Sequence, residues 1–144
     1  MYDHILFPTD GSESAAAVAD HVDALVDRTG ATVHVLSVVD ARNRFESPTG
    51  GVAPEAWDEA ERERAEAAID DAVAALAAGT SVERHVEIGI PHAKIVEYAS
   101  REDCDVVVMS THGRTGLDHY LIGSVAERVV RQSPVPVLTV RLED

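Results

Sequence analysis

The stretch MSTHGRTGLDHYLIGS, residues 109–124, carries the residue types best suited to chemistry. Gly113, Gly116 and Gly123 punctuate it, and Ser124 follows the last of them. An apolar run leads in at 104–110, and a helical pattern leaves from Ser124. A helix N-terminus presents N–H groups without intrahelical partners and a partial positive charge, which suits a phosphate. Glycine lets the preceding backbone approach an anion closely. Arg114 adds a cation, and Thr115 and Ser124 add hydroxyls. The same residues have a plainer use. Ser124-x-x-Glu127 has the spacing of a capping box, and loop glycines can serve turn geometry alone. Spacing leaves phosphate binding and a capped turn both open.

Other chemistry finds less support. Histidines 4, 21, 34, 85 and 92 show no metal-ligand spacing, so no metal site is expected from protein ligands. His119 and Tyr120 read as loop-surface or dimer-edge residues. The single cysteine, Cys104, cannot form an intramolecular disulfide and reads as a small buried hydrophobe. No Ser-His-Asp order stands out. Lys94 is the only lysine, and no Gly-x4-Gly-Lys-Ser/Thr phosphate loop is present.

The elements that must position the 109–124 stretch alternate in period. Strand-like runs occupy 3–10, 31–40, 81–88, 104–110 and 133–141. Helical patterns occupy 12–30, 54–78, 89–103 and 124 to about 131. Gly30 and Gly79 stand where helices should stop, and Pro54 and Pro91 where helices should start. The inner faces expected are Ala15, Val18, Ala19, Val22, Leu25 and Val26 on the first helix. On the second they are Trp57, Ala60, Ala68, Ile69, Val73 and Leu76, and on the third Ile95, Val96 and Ala99. Residues 41–54 hold two Pro and two Gly and read as a long loop, a candidate lid. Pro134 and Pro136 place the last strand at an edge. The alternation predicts one α/β domain over 1–144, an open parallel five-stranded sheet of Rossmann type with helices on both faces. Ligands of such sheets bind beyond the strand carboxyl ends, where strand order reverses. That directs attention to Pro8-Thr9-Asp10, Val38-Val39-Asp40 and 109–124.

Composition bounds the partners. The 144 residues carry a net charge of −14, with twelve basic residues against twenty-six acidic ones. A surface this acidic self-repels at low salt and is screened at high salt, the pattern expected of a halophile. It argues against nucleic-acid binding, which needs a basic footprint. With no signal peptide and no long apolar run, a cytoplasmic protein without membrane insertion is expected.

The chain resembles the universal stress protein family. ILFPTDGSESA is similar to the family's first strand and loop, VHVLSVVD to its second strand, and GIPHAKIVEYA to its third helix. DVVVMSTHGRTGLDHYLIGSVAERVVRQSPVPVLTVR resembles the family's C-terminal half throughout. The 110–124 stretch resembles its ATP-binding signature, Gly-x2-Gly-x9-Gly-Ser/Thr, with Ser110 in place of the first glycine. If that position needs positive φ, Ser110 is strained; if it needs only a small side chain, Ser110 is tolerated.

The resemblance implies an ATP site with Mg²⁺ held through the phosphates. It implies that Pro8, Thr9 and Asp10 lie by the adenosine and that Val38 touches the adenine through its backbone. Met109, Ser110, His112, Gly113 and Arg114 would line ribose and phosphates, and Gly123, Ser124 and Val125 would bind phosphate at the helix start. Asp10 could instead cap the first helix, and His112 could be a turn residue. The family likeness implies binding with at most slow hydrolysis, a homodimer through strand 135–141, and a regulatory output to an unidentified protein partner. Two alternatives stand beside it. One is a nucleotide-independent dimeric protein-binding module. The other is an adenylating or pyrophosphatase-type enzyme, to which PTDGSES is loosely similar.

Overall fold

A computed structural model of the chain describes residues 2–11, 13–42, 54–111 and 123–141. Five strands alternate with four helices: β1 (His4–Pro8), α1 (Ala15–Thr29), β2 (Thr32–Asp40), α2 (Pro54–Ala75), β3 (Val82–Gly89), α3 (Pro91–Arg101), β4 (Val106–Ser110), α4 (Ser124–Gln132) and β5 (Val137–Val140). All ladders are parallel and the strand order is β3-β2-β1-β4-β5. The chain winds outward from β1 to β3, then crosses to the other side of β1 with β4 and β5. Strand order therefore reverses between β1 and β4, as the doubly wound reading expects.

Side chains alternate across the strands and build two cores. Ile5, Phe7, Val33, Val35, Val106 and Val108 meet α1 and α2 through Val18, Val22, Ile69 and Ala72. Leu6, Leu36, Val107 and Met109 meet α3 and α4 through Ile95, Tyr98, Ala126 and Val129. The central strands are buried on both faces, which explains their unbroken apolar runs. Cys104 lies in the second core, where burial pushes its thiol up to about 12. No helix among the described residues is long and apolar enough to cross a membrane.

Several boundaries differ from expectation. α1 starts at Ala15 with Ser14 as its N-cap, so Asp10 does not cap it. It stops where Gly30 turns left-handed (φ 70°) and its N–H bonds the Val26 carbonyl at 2.7 Å. α2 ends at Ala75, three residues early. Its inner stripe is Ala65, Ala68, Ile69 and Ala72, with Leu76 just beyond its end, while Ala60 is exposed. Alanine occurs all round this helix, so it carries little inside–outside information. The fully buried Tyr98 was not expected on α3. Most of the 41–54 loop, residues 43–53, lies outside the described residues.

The histidines also depart from expectation. β2 and β3 pair with His34 opposite Glu83 and Leu36 opposite His85. This brings His34, Glu83 and His85 together although their sequence spacing gives no sign of it. Burial lowers the His34 pKa against the raising effect of Glu83. The 3.2 Å contact between His34 Nδ1 and Glu83 is therefore a contact of a neutral ring, not an ion pair, at neutral pH.

Two smaller structural dependencies can be tested directly. Gly11 follows β1 with φ 83°, and a Cβ there would sit 3.3 Å from the Ala68 Cβ on α2. Gly11→Ala is expected to cost about 1–2 kcal/mol from the left-handed backbone and the tight approach. It should lower the urea midpoint without changing the slope.

Asp105 Oδ2 accepts the N–H groups of Asp3 (2.7 Å) and His4 (2.9 Å), tying the start of β1 to β4. The His4 N–H bond holds this carboxyl below its ordinary pKa. A depressed pKa in the folded state gives stability that is present above the usual carboxylate range and lost as pH falls through the folded value. Asp105→Asn should therefore lower the urea midpoint at pH 7, by about 1 kcal/mol in stability, and by clearly less at about pH 3.

Candidate functional site

A cleft of about 470 Å³ opens at the carboxyl ends of β1, β2 and β4, over the β1/β4 reversal. Phe7, Leu36 and Met109 form its apolar base. Pro8, Thr9 and Asp10 rise from β1, and Ser37 to Asp40 from β2. Ser110 and Thr111 continue β4, and Gly123 to Ala126 contribute the start of α4. Glu61, Arg64 and Ala65 of α2 approach from one side, and Pro91 and Ile95 of α3 from the other.

Nine of the expected site residues line this one cleft: Pro8, Thr9, Asp10, Val38, Met109, Ser110, Gly123, Ser124 and Val125. His112, Gly113 and Arg114 lie outside the described residues. Sequence reasoning passed over Ser37, Arg42, Thr111 and the α2 pair Glu61 and Arg64. The pattern Asp40-x-Arg42 at a strand end was a usable signal. The α2 residues had none, because their role depends on which way the helix leans.

The α4 N-terminus answers the capping question. Gly123 is the N-cap, in extended backbone (φ −64°, ψ 155°), with no side-chain cap. Ser124 is the first helical residue, so the expected capping box does not form. Glu127 stands one position too late for the box, and its N–H bonds the Gly123 carbonyl at 3.0 Å. The helix itself supplies no acceptor for the N–H groups of Ser124, Val125 and Ala126. The Gly123 N–H bonds the Thr111 carbonyl at 2.6 Å, and the Thr111 N–H bonds the Val140 carbonyl at 3.0 Å. Thr111 and Gly123 are thus held together beside the cleft.

Ser110 ends β4 in register with Val140. Among the described non-glycine residues only Asp103 has positive φ, at 50°. Ser110 is therefore unstrained, and the left-handed backbone that would have required glycine is not there.

Charge in the cleft is mixed. Arg42 grips Asp40 through two bonds, Nε to Oδ1 at 2.9 Å and Nη2 to Oδ2 at 2.7 Å. That bonding holds the Asp40 carboxyl below its ordinary range. Arg64 lies 3.5 Å from Glu61. With both cleft arginines beside carboxylates, the N-terminal end of α4 offers the cleft a further locus for an anion. The arrangement suits a ligand with an apolar ring over Leu36, Val38 and Ile95 and an anionic tail toward Gly123 and Ser124.

Known proteins share this architecture. Residues 1–141 match the family model described as the universal stress protein family. The chain is 36% identical to universal stress protein MJ0531 of Methanocaldococcus jannaschii, over 98% of this chain and 83% of that protein. The solved structure of MJ0577 from the same organism superposes with a TM-score of 0.77 at 34% identity, covering 100% of this chain and 99% of that one. A universal stress protein crystallised in complex with cAMP superposes with a TM-score of 0.64 at 26% identity, covering 97% of each chain.

Proposed function

The chain belongs to the universal stress protein family, and we propose that it is an ATP-binding regulatory member of it, with at most slow hydrolysis. One observation carries this reading: the first-turn N–H groups of α4 lack a side-chain cap and adjoin the cleft at the strand-order reversal. A phosphate there would accept from backbone donors that nothing else in the helix satisfies. The cAMP complex of a relative supports an adenine nucleotide as the ligand class.

In this reading adenine lies against Val38, and Pro8, Thr9 and Asp10 flank the adenosine. Met109, Ser110, His112, Gly113 and Arg114 follow the ribose and phosphates, and Gly123, Ser124 and Val125 hold the phosphate tail. Mg²⁺ would be held through phosphate oxygens and water, so few side chains are needed. The extended backbone at Ser110 fits this reading, because a small side chain suffices there.

Regulation rather than turnover is the part of this reading that the absence of a cleft lysine supports. Lys94, the single lysine, does not line the cleft, so the lysine point charge that phosphoryl transfer commonly uses is missing. Output would then be a change of surface presented to a protein partner. Assembly would be a homodimer through β5, an edge strand with Leu138 exposed. The net charge of −14 fits a salt-rich cytoplasm.

The test is direct. Protein purified in high salt is denatured, and released nucleotide is identified by chromatography; Mg-ATP is then added to stripped protein and melting is followed. Near-stoichiometric ATP, or a melting temperature that climbs with ATP concentration, is expected. An empty protein whose melting ignores Mg-ATP would overturn the reading and leave a nucleotide-independent dimer.

A further inference from the structure

We propose that His34, Glu83 and His85 form a second ligand site, separate from the cleft, for a divalent transition-metal ion of the zinc class. The three residues offer two imidazole nitrogens and one carboxylate oxygen, all within 4.8 Å of one another. Strand pairing sets this convergence. His34 stands opposite Glu83 in the β2–β3 register, and His85 follows Glu83 by two residues, so both β3 side chains share the face of His34. Rigid paired strands hold ligand positions better than loops do.

The surroundings match what a metal site needs. His34 is buried, His85 half-buried and Glu83 exposed, so the trio opens toward solvent on the Glu83 side. Three protein ligands with one open position for water is a recurring zinc arrangement, and two histidines with one carboxylate are among its ligand sets. The donors favour zinc and its transition-metal neighbours over Mg²⁺ or Ca²⁺, which prefer oxygen alone.

A metal-bound histidine usually donates its other ring N–H to a fixed acceptor. The geometry allows this at His34: Nδ1 lies 3.2 Å from Glu83, and Nε2 lies 3.0 Å from His4 Nδ1, within reach to donate to it in the matching tautomer. Tyr98 stands behind, its hydroxyl 2.7 Å from His34 Nδ1. On metal binding this hydroxyl would give up its bond to Nδ1 and turn to the carboxylate or to metal-bound water. The competing role for the cluster is a hydrogen-bonded polar knot that binds nothing.

The experiment uses the untagged full chain, stripped with a chelator and titrated with Zn²⁺ alone, then with Co²⁺ as a spectroscopic substitute. Wild type is expected to melt several degrees higher with Zn²⁺ and to develop visible d–d absorption with Co²⁺. Glu83→Gln and His85→Gln, both at solvent-accessible positions, should each bind at least tenfold more weakly. Both should stay folded without metal and keep the wild-type response to Mg-ATP. No Zn²⁺-dependent shift in wild type would overturn the proposal. So would equal Co²⁺ spectra and affinities in wild type and both variants, which would mean that other surface groups take the ion.

Discussion

Ser124→Asp is expected to weaken ATP binding by about fivefold or more while leaving the fold as stable as before. Ser124 is exposed and is the first helical residue of α4. A carboxylate in a first helical turn interacts favourably with the helix dipole, by about 0.3–1 kcal/mol. The substitution therefore should not unfold anything. It should, however, occupy the N–H groups offered to phosphate and set a negative charge beside them. Two like charges about 4 Å apart cost about 1–4 kcal/mol between bulk water and a protein surface. That corresponds to roughly a fivefold to nearly thousandfold loss. Calorimetric titration with Mg-ATP at one fixed high salt concentration measures it. Ser124→Ala, which removes only a hydroxyl, should lose far less. Equal affinities for wild type and Ser124→Asp would move the phosphates away from α4 altogether.

Tyr98→Ala is expected to cost about 3–5 kcal/mol in stability, the range for truncating a large buried ring. Tyr98 is fully buried in the core under α3 and α4. Its ring meets His34 and His85 edge-on, with centroids 5.6 Å and 4.9 Å away, and Arg101 lies 5.3 Å from the ring centre. Removing it would leave a cavity and take the hydroxyl partner from His34 Nδ1. A domain of this kind holds about 5–15 kcal/mol in total, so the loss is a large share. Tyr98→Phe keeps the ring and gives up only the hydroxyl bond, expected at about 1–2 kcal/mol. Urea unfolding of the two variants side by side separates packing from hydrogen bonding. Near-equal midpoints would show that the ring itself contributes little.

The same two positions mark what could and could not be read from the chain. The alternating periods, Gly30 as a helix stop and Pro91 as a helix start were legible, because they follow from local backbone chemistry. So were the strand carboxyl ends that converge on the cleft, since a parallel doubly wound sheet puts them on one side. The start of α4 at Ser124 was legible too, whereas the Ser124-x-x-Glu127 spacing could not decide between a capping box and an open helix end. Gly123 and Ser124 are both acceptable N-caps. Ala60 was misplaced because alanine is comfortable on either side of a helix. Glu61 and Arg64 reach the cleft through the packing of α2, which no local pattern encodes. His34 and His85 were dismissed on spacing. Their meeting is a property of strand register, and register between non-adjacent segments is invisible in a single sequence.

The bond from the Gly123 N–H to the Thr111 carbonyl has a consequence for how such proteins can diverge. It joins Thr111 and Gly123 directly, whatever the length of chain between them. Chain added or removed there leaves β4, β5 and α4 where they are. The entropy of closing a flexible segment grows only with the logarithm of its length, about 0.6 kcal/mol for each doubling. Insertions between Thr111 and Gly123 should therefore be tolerated by folding long before they are tolerated by ligand binding.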